Sequence, residues 1–94
     1  MKKNMTSFEA YRYCRDVKDT KEIRRLITAS YHAYVYCKYV KDRKSIRKLI
    51  TDSDDAYLYC IDVKDRKSMR KLITDDDLID KLDNIKLSKK DKYV

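Results

Sequence analysis

The sequence predicts an all-α protein, a small α-solenoid of three helix-turn-helix repeats closed by a C-terminal cap helix. Three observations carry this. The chain of 94 residues has no Gly and no Pro. Strand-joining turns draw on Gly, Asn, Asp and Pro, and only Asp is plentiful here. Three segments align without a gap at a spacing of 23 residues: AYRYCRDVKDTKEIRRLIT from Ala10, AYVYCKYVKDRKSIRKLIT from Ala33 and AYLYCIDVKDRKSMRKLIT from Ala56. A fixed period of that size marks a stacked array. Apolar spacing inside each segment is helical: Ala10, Tyr13, Cys14 and Val17 fall at i, i+3, i+4 and i+7.

Each unit reads as two short helices. The units span residues 7–29, 30–52 and 53–75 of a single domain covering 1–94. In the first helix of each unit, Ser7, Ser30 and Ser53 stand at the expected N-cap, as Asp76 does for the closing helix. The second helix carries the stripe Ile23, Leu26 and Ile27, repeated as Ile46, Leu49, Ile50 and as Met69, Leu72, Ile73. Asp19, Asp42 and Asp65 are its expected caps, and Asp19 with Glu22 has capping-box spacing. Helices of about 9–10 residues are too short to persist alone. Stacking the units buries a continuous core. After Thr74 the Tyr and Cys positions are lost, and Leu78, Ile79, Leu82 and Ile85 continue one amphipathic helix. A cap helix over 76–87 follows, with a charged tail at 88–94. An exposed face of the very first helix is a possible dimer contact, which leaves monomer and homodimer both open.

Composition excludes several function classes. Without Gly there is no glycine-rich phosphate loop, and hence no P-loop or Rossmann enzyme. One His leaves little material for a catalytic triad or a His-based metal site. No catalytic residue, metal ligand or cofactor is expected. No run of about 20 apolar residues is present, so no membrane span is expected, and Met1 to Asn4 has no apolar stretch behind it. A soluble, cytoplasmic protein is the expectation.

The residues AYLYCIDVKDRKSMRKLITDD resemble short tandem repeats in uncharacterised proteins of bacteriophages and giant viruses. The likeness covers roughly Ser7 to Asp76. It implies an α-helical solenoid of viral or mobile-element origin, acting in the host cytoplasm if viral, and brings no catalytic residue with it. Small phage proteins of this size often block a host defence enzyme, so the likeness implies an anti-defence, anti-CRISPR-like inhibitor.

The cysteines read as packing residues. Cys14, Cys37 and Cys60 hold one position on successive units, which places their Cα atoms about 9–10 Å apart, the usual helix packing distance. That is too far for a disulfide. His32, beside Tyr31, reads as a rim residue. Tyr13, Tyr36 and Tyr59 lie on the core stripe. Tyr11, Tyr34 and Tyr57 lie off it, wedged between units or in the groove.

Two surfaces remain as candidates. The first is a basic ladder on the second helices: Lys21, Arg24 and Arg25, then Lys44, Arg47 and Lys48, then Lys67, Arg70 and Lys71, with Arg43 and Arg66 at its edge. Such a stripe suits RNA, DNA or a nucleotide phosphate. Charge is uneven, however. Residues 1–50 hold fourteen Lys+Arg and five Asp+Glu, net +9, and residues 51–94 hold ten and eleven, net −1. That polarity suits one host protein with an acidic or nucleic-acid-binding surface better than uniform tracking of a polymer. The second surface is what the repeats do not share. Arg12, Arg15 and Asp16 become Val35, Lys38 and Tyr39, then Leu58, Ile61 and Asp62. The expected partner contact is the apolar patch Val35, Tyr39, Leu58 and Ile61 with the basic rim Arg12, Arg15 and Lys38.

Overall fold

The computed structural model describes residues 5–91, with side chains through 85. All regular structure in that span is helical, in the order α1 Ser7–Asp16, α2 Lys21–Arg24, α3 Ser30–Tyr39, α4 Lys44–Arg47, α5 Ser53–Asp62, α6 Lys67–Arg70 and α7 Asp76–Asp91. The odd-numbered helices form one layer, with α3 packed between α1 and α5, and α5 packed against α7. Each short helix α2, α4 and α6 packs against the long helix that precedes it. The radius of gyration, 14.8 Å, exceeds the ~12 Å of a compact domain of this length, as a stack requires.

The long helices end without glycine. Val17, Val40 and Val63 close them in the right-handed region, and each donates its N–H to the carbonyl of the Tyr four residues back. The next N–H, of Lys18, Lys41 or Lys64, goes to the same carbonyl. No described residue has positive φ. Left-handed C-caps are where glycine is normally needed, so a chain that never uses one can omit it.

The second helices are four residues long rather than the nine or ten expected. They tighten at once into i→i+3 bonds, Leu26 N–H to Ile23 C=O and Ile27 N–H to Arg24 C=O, with the same pattern in the other units. This tighter turn drives Ile23, Ile27, Ile46, Ile50, Met69 and Ile73 into the core, while Leu26, Leu49 and Leu72 are only partly covered. The closing helix is longer than expected. It continues through Asp91 and so takes in the first part of the predicted tail. Residues 92–94 lie outside the described residues, as do 1–4. Leu82 is fully buried and seats this helix, with Leu78 and Ile79 packed beside it.

The expected caps are displaced by one position. The N-caps of α1, α3 and α5 are Thr6, Ala29 and Asp52, with a full capping box between Thr6 and Glu9. At α7, Asp75 rather than Asp76 accepts from the Asp77 N–H. The serines act across units instead. Ser7 Oγ accepts from the N–H groups of Thr28 and Ala29, 21 and 22 residues later. Ser30 does the same for Thr51 and Asp52, and Ser53 for Thr74. Each serine therefore ties down the link into the next unit.

Thr20, Arg43 and Arg66, not the preceding aspartates, occupy the N-cap positions of the second helices, and of the three Thr20 alone caps with its side chain. The aspartates instead form a clasp between units. Asp19 accepts from the Tyr36 hydroxyl at 2.7 Å and from Arg24 at 2.9 Å, and Arg43 reaches it at 3.4 Å. One unit on, Asp42 meets Tyr59 at 2.8 Å, Arg47 at 3.2 Å and Arg66 at 3.1 Å. Arg43 and Arg66 also donate to the two tyrosine oxygens. Tyr36 and Tyr59 are fully buried. A buried phenol needs a partner for its hydroxyl, and the preceding unit supplies it. Burial raises the Asp19 and Asp42 carboxyls, but the tyrosine hydroxyls and guanidiniums outweigh it and leave both below the ordinary range. Burial, then the hydrogen bond to aspartate, pushes Tyr36 and Tyr59 up to about 12.

Candidate functional site

Both candidate surfaces are exposed faces of this two-layer stack, and the structure redraws each. On the long-helix face, Val35 is only 7% exposed and belongs to the core. Leu58 and Ile61 are half-buried and pack against that core. The apolar patch expected from Val35, Tyr39, Leu58 and Ile61 therefore shrinks to Tyr39, at 57% exposure. The reason is the layer itself. Flanking helices on both sides of α3 cover positions that would be outward on an isolated helix pair.

Of the other exposed large apolar side chains, Val17 closes α1, and Phe8 and Tyr31 lie one to two turns earlier on the long helices. Phe8 is 47% and Tyr31 53% exposed, at equivalent positions of α1 and α3. The rings run as a string. Phe8 is 6.2 Å from Tyr11 and 5.5 Å from His32, and Tyr31 is 6.3 Å from His32 and 5.8 Å from Tyr34. His32 is half-buried and sits 2.8 Å from Ser7 Oγ through Nδ1. Asp55 takes the same place one unit on, buried in α5. Burial holds its carboxyl above the ordinary range, with Asp52 and Asp54 adding to that and Ser30 opposing it.

The cations of this face are engaged. Arg12 lies 5.8 Å over the Phe8 ring and Arg15 5.3 Å over Tyr11, and Lys38 Nζ is 4.9 Å from the centre of Tyr39. Arg15 also pairs with Asp16 at 2.7 Å and Lys38 with Asp62 at 3.4 Å. The Tyr34 hydroxyl donates to the same Asp62, which links the string to α5. Burial and that bond push Tyr34 up to about 12. Sequence reasoning missed Phe8 and Tyr31. The signal was present: position 8 reads Phe, Tyr, Asp across the units, as unshared as the positions that were chosen.

The basic ladder is thinner than nine aligned charges. Arg24, Arg47 and Arg70 turn inward to Asp19, Asp42 and Asp65 at 2.9, 3.2 and 2.6 Å. Arg70 also reaches Asp83 of α7, and Arg43 and Arg66 belong to the clasp. Lys21, Arg25, Lys44, Lys48, Lys67 and Lys71 remain, all exposed, and none has an ion pair among the described residues.

Between successive short helices lie two matching grooves. One, of about 390 Å³, runs between α2 and α4 past Lys21, Arg25, Thr28, Ser45, Ile46 and Leu49. The other, of about 370 Å³, runs between α4 and α6 past Lys44, Lys48, Thr51, Ser68, Met69 and Leu72. They are the same cleft one repeat apart.

The three cysteines are buried, and none is in a disulfide among the described residues. Burial first, and nearby aspartate second, raises Cys14 to about 11 and Cys37 to about 12. No group of three or more His, Cys, Asp or Glu side chains among the described residues is placed to hold a metal ion. None of their helices is long and apolar enough to cross a membrane. No protein-family model, curated protein or solved structure matches the chain.

Proposed function

We propose that this protein is a non-catalytic binding solenoid that docks a partner protein through the aromatic and cationic face of α1 and α3. Phe8, Tyr31 and Tyr39 are the contact anchors, with Arg12, Arg15 and Lys38 as the rim. The single observation behind this is the exposure of three large apolar side chains on the long-helix face of the first two units. The third unit has Asp54 and Asp62 at the equivalent positions. Exposed aromatics edged by Arg are the composition of interface hot spots, and their departure from the repeat pattern means that stacking does not require them. In the form that the sequence resemblance suggests, the partner is a host defence protein, the chain is a viral inhibitor working in the host cytoplasm, and docking covers an acidic or nucleic-acid-binding surface.

The test is affinity capture from a host lysate treated with nuclease, using the wild type and the variant Phe8→Ala/Tyr31→Ala/Tyr39→Ala. A protein retained by the wild type and lost by the variant, with circular dichroism unchanged, supports the reading. Retention of the same protein by both sinks it.

A further inference from the structure

We infer that the short-helix face binds the phosphate backbone of a duplex nucleic acid, with the two matching grooves as its seat. This stands apart from the partner contact above, which lies on the other layer and uses other residues.

Three observations point the same way. The free cations recur in every unit: Lys21 and Arg25, Lys44 and Lys48, Lys67 and Lys71. Sequence arithmetic by halves suggested that positive charge fades towards the C terminus. The fold shows that it is sorted by face. Apart from Asp65, which pairs with Arg70 in the link before α6, the acids of the third unit and beyond belong to α5, α7 and the links before them, whereas α6 has no acid and is flanked by Lys67 at its start and Lys71 at its C-cap. Glu22 is the only acid within the three short helices.

The arrangement is also held open. The arginine between each pair of free cations points inward to an aspartate in all three units. That bond leaves the flanking cations facing water and fixes the backbone that carries them. Each groove adds two hydroxyls, Thr28 with Ser45 and Thr51 with Ser68, and such side chains commonly donate to phosphate oxygens.

The choice of duplex follows from what the face lacks. Single strands are gripped by stacking unpaired bases on aromatic rings. No aromatic lines either groove. A duplex has its bases already stacked and offers a regular row of charge, one per about 1.7 Å of axis. Three rungs about 9–10 Å apart match such a row, with no base-edge contact needed. Binding is therefore independent of sequence.

The experiment is fluorescence anisotropy with a labelled 20-base-pair DNA duplex at several salt concentrations. The wild type should bind at 50 mM salt, with a log–log salt slope of roughly −5 if all six free cations engage. The variant Lys21→Gln/Lys44→Gln/Lys67→Gln should lose about tenfold or more in affinity, and its slope should fall by about 3. The variant Arg12→Gln/Arg15→Gln/Lys38→Gln removes the same charge from the other face and should stay within about twofold of the wild type. Polyglutamate in equal charge should compete poorly. Absence of binding at 50 mM salt, equal losses in both triple variants, or full competition by polyglutamate overturns the assignment. Circular dichroism of each variant confirms that the helices persist.

Discussion

The two faces of the stack treat positive charge in opposite ways. On the long-helix face every cation of α1 and α3 is occupied, by a ring, a carboxylate or both. On the short-helix face six cations have no ion pair among the described residues. The long-helix face changes from unit to unit, and the short-helix face hardly changes. A varied, pre-paired surface suits one shaped partner. A repeated, unpaired one suits a polymer that repeats as well. The clasp of Asp, Tyr and Arg lies between them and keeps the two faces in register.

Breaking the clasp should have the largest effect. Tyr36→Ala removes a fully buried ring and leaves Asp19 without its hydroxyl donor. A loss of about 3–5 kcal/mol is expected from the cavity, read as a lower urea midpoint, and it should disturb both faces together. If one face kept its binding while stability fell, the faces would be less coupled than the clasp implies. Ile50→Ala in the shared stripe should cost about 2–5 kcal/mol in the same assay. Ile50 reports on the core better than Leu49 of the same stripe, because Leu49 is only partly covered.

Acid should act through the same clasp. The Asp19 and Asp42 carboxyls are held below their ordinary value in the fold. Their stabilisation is present above the unfolded carboxyl value of about 4 and is lost as pH falls through the lower folded values. Asp55 has the opposite sign, since its carboxyl is raised and protonation there favours the fold. Asp19→Asn/Asp42→Asn should cost about 1–3 kcal/mol per site at pH 7 and flatten the acid limb of a stability–pH profile. An unchanged acid limb would show that the clasp is not electrostatic in origin.

The thiols test the stack from within, because all three are buried in its core. With Cys37 pushed up to about 12 and buried, labelling by a thiol reagent at pH 8 should be slow in the folded chain and rapid in urea. Fast labelling without denaturant would mean that the units part easily. The smallest effects belong to the faces. Tyr39→Ala, and separately Lys44→Gln, should shift stability by within about 0.5 kcal/mol, while each weakens only its own ligand. Ile61→Asp is different, since Ile61 packs on the core, and should unfold the chain rather than report on binding.

The helical class, the 23-residue register and the burial of the cysteines were legible in the chain. They are local or periodic properties: apolar spacing fixes which side of a helix is buried, and a fixed period repeats that choice. Sequence alone could not say which outward positions stay outward. Val35 and Tyr39 look alike on a helix pair, yet the layer of α1, α3 and α5 covers one and leaves the other in water. Nor could it say which charges are free. Arg24 and Arg25 are adjacent, and only the three-dimensional place of Asp19 decides that one is neutralised and the other is not. Asp19 itself looked like a cap because a cap needs only its own helix, whereas its actual partners, Tyr36 and Arg43, lie 17 and 24 residues away. Burial and the contacts of Tyr36 and Arg43 with Asp19 depend on the neighbouring unit, so stacking settled them, while the Arg24–Asp19 pair depends on how one unit folds back on itself.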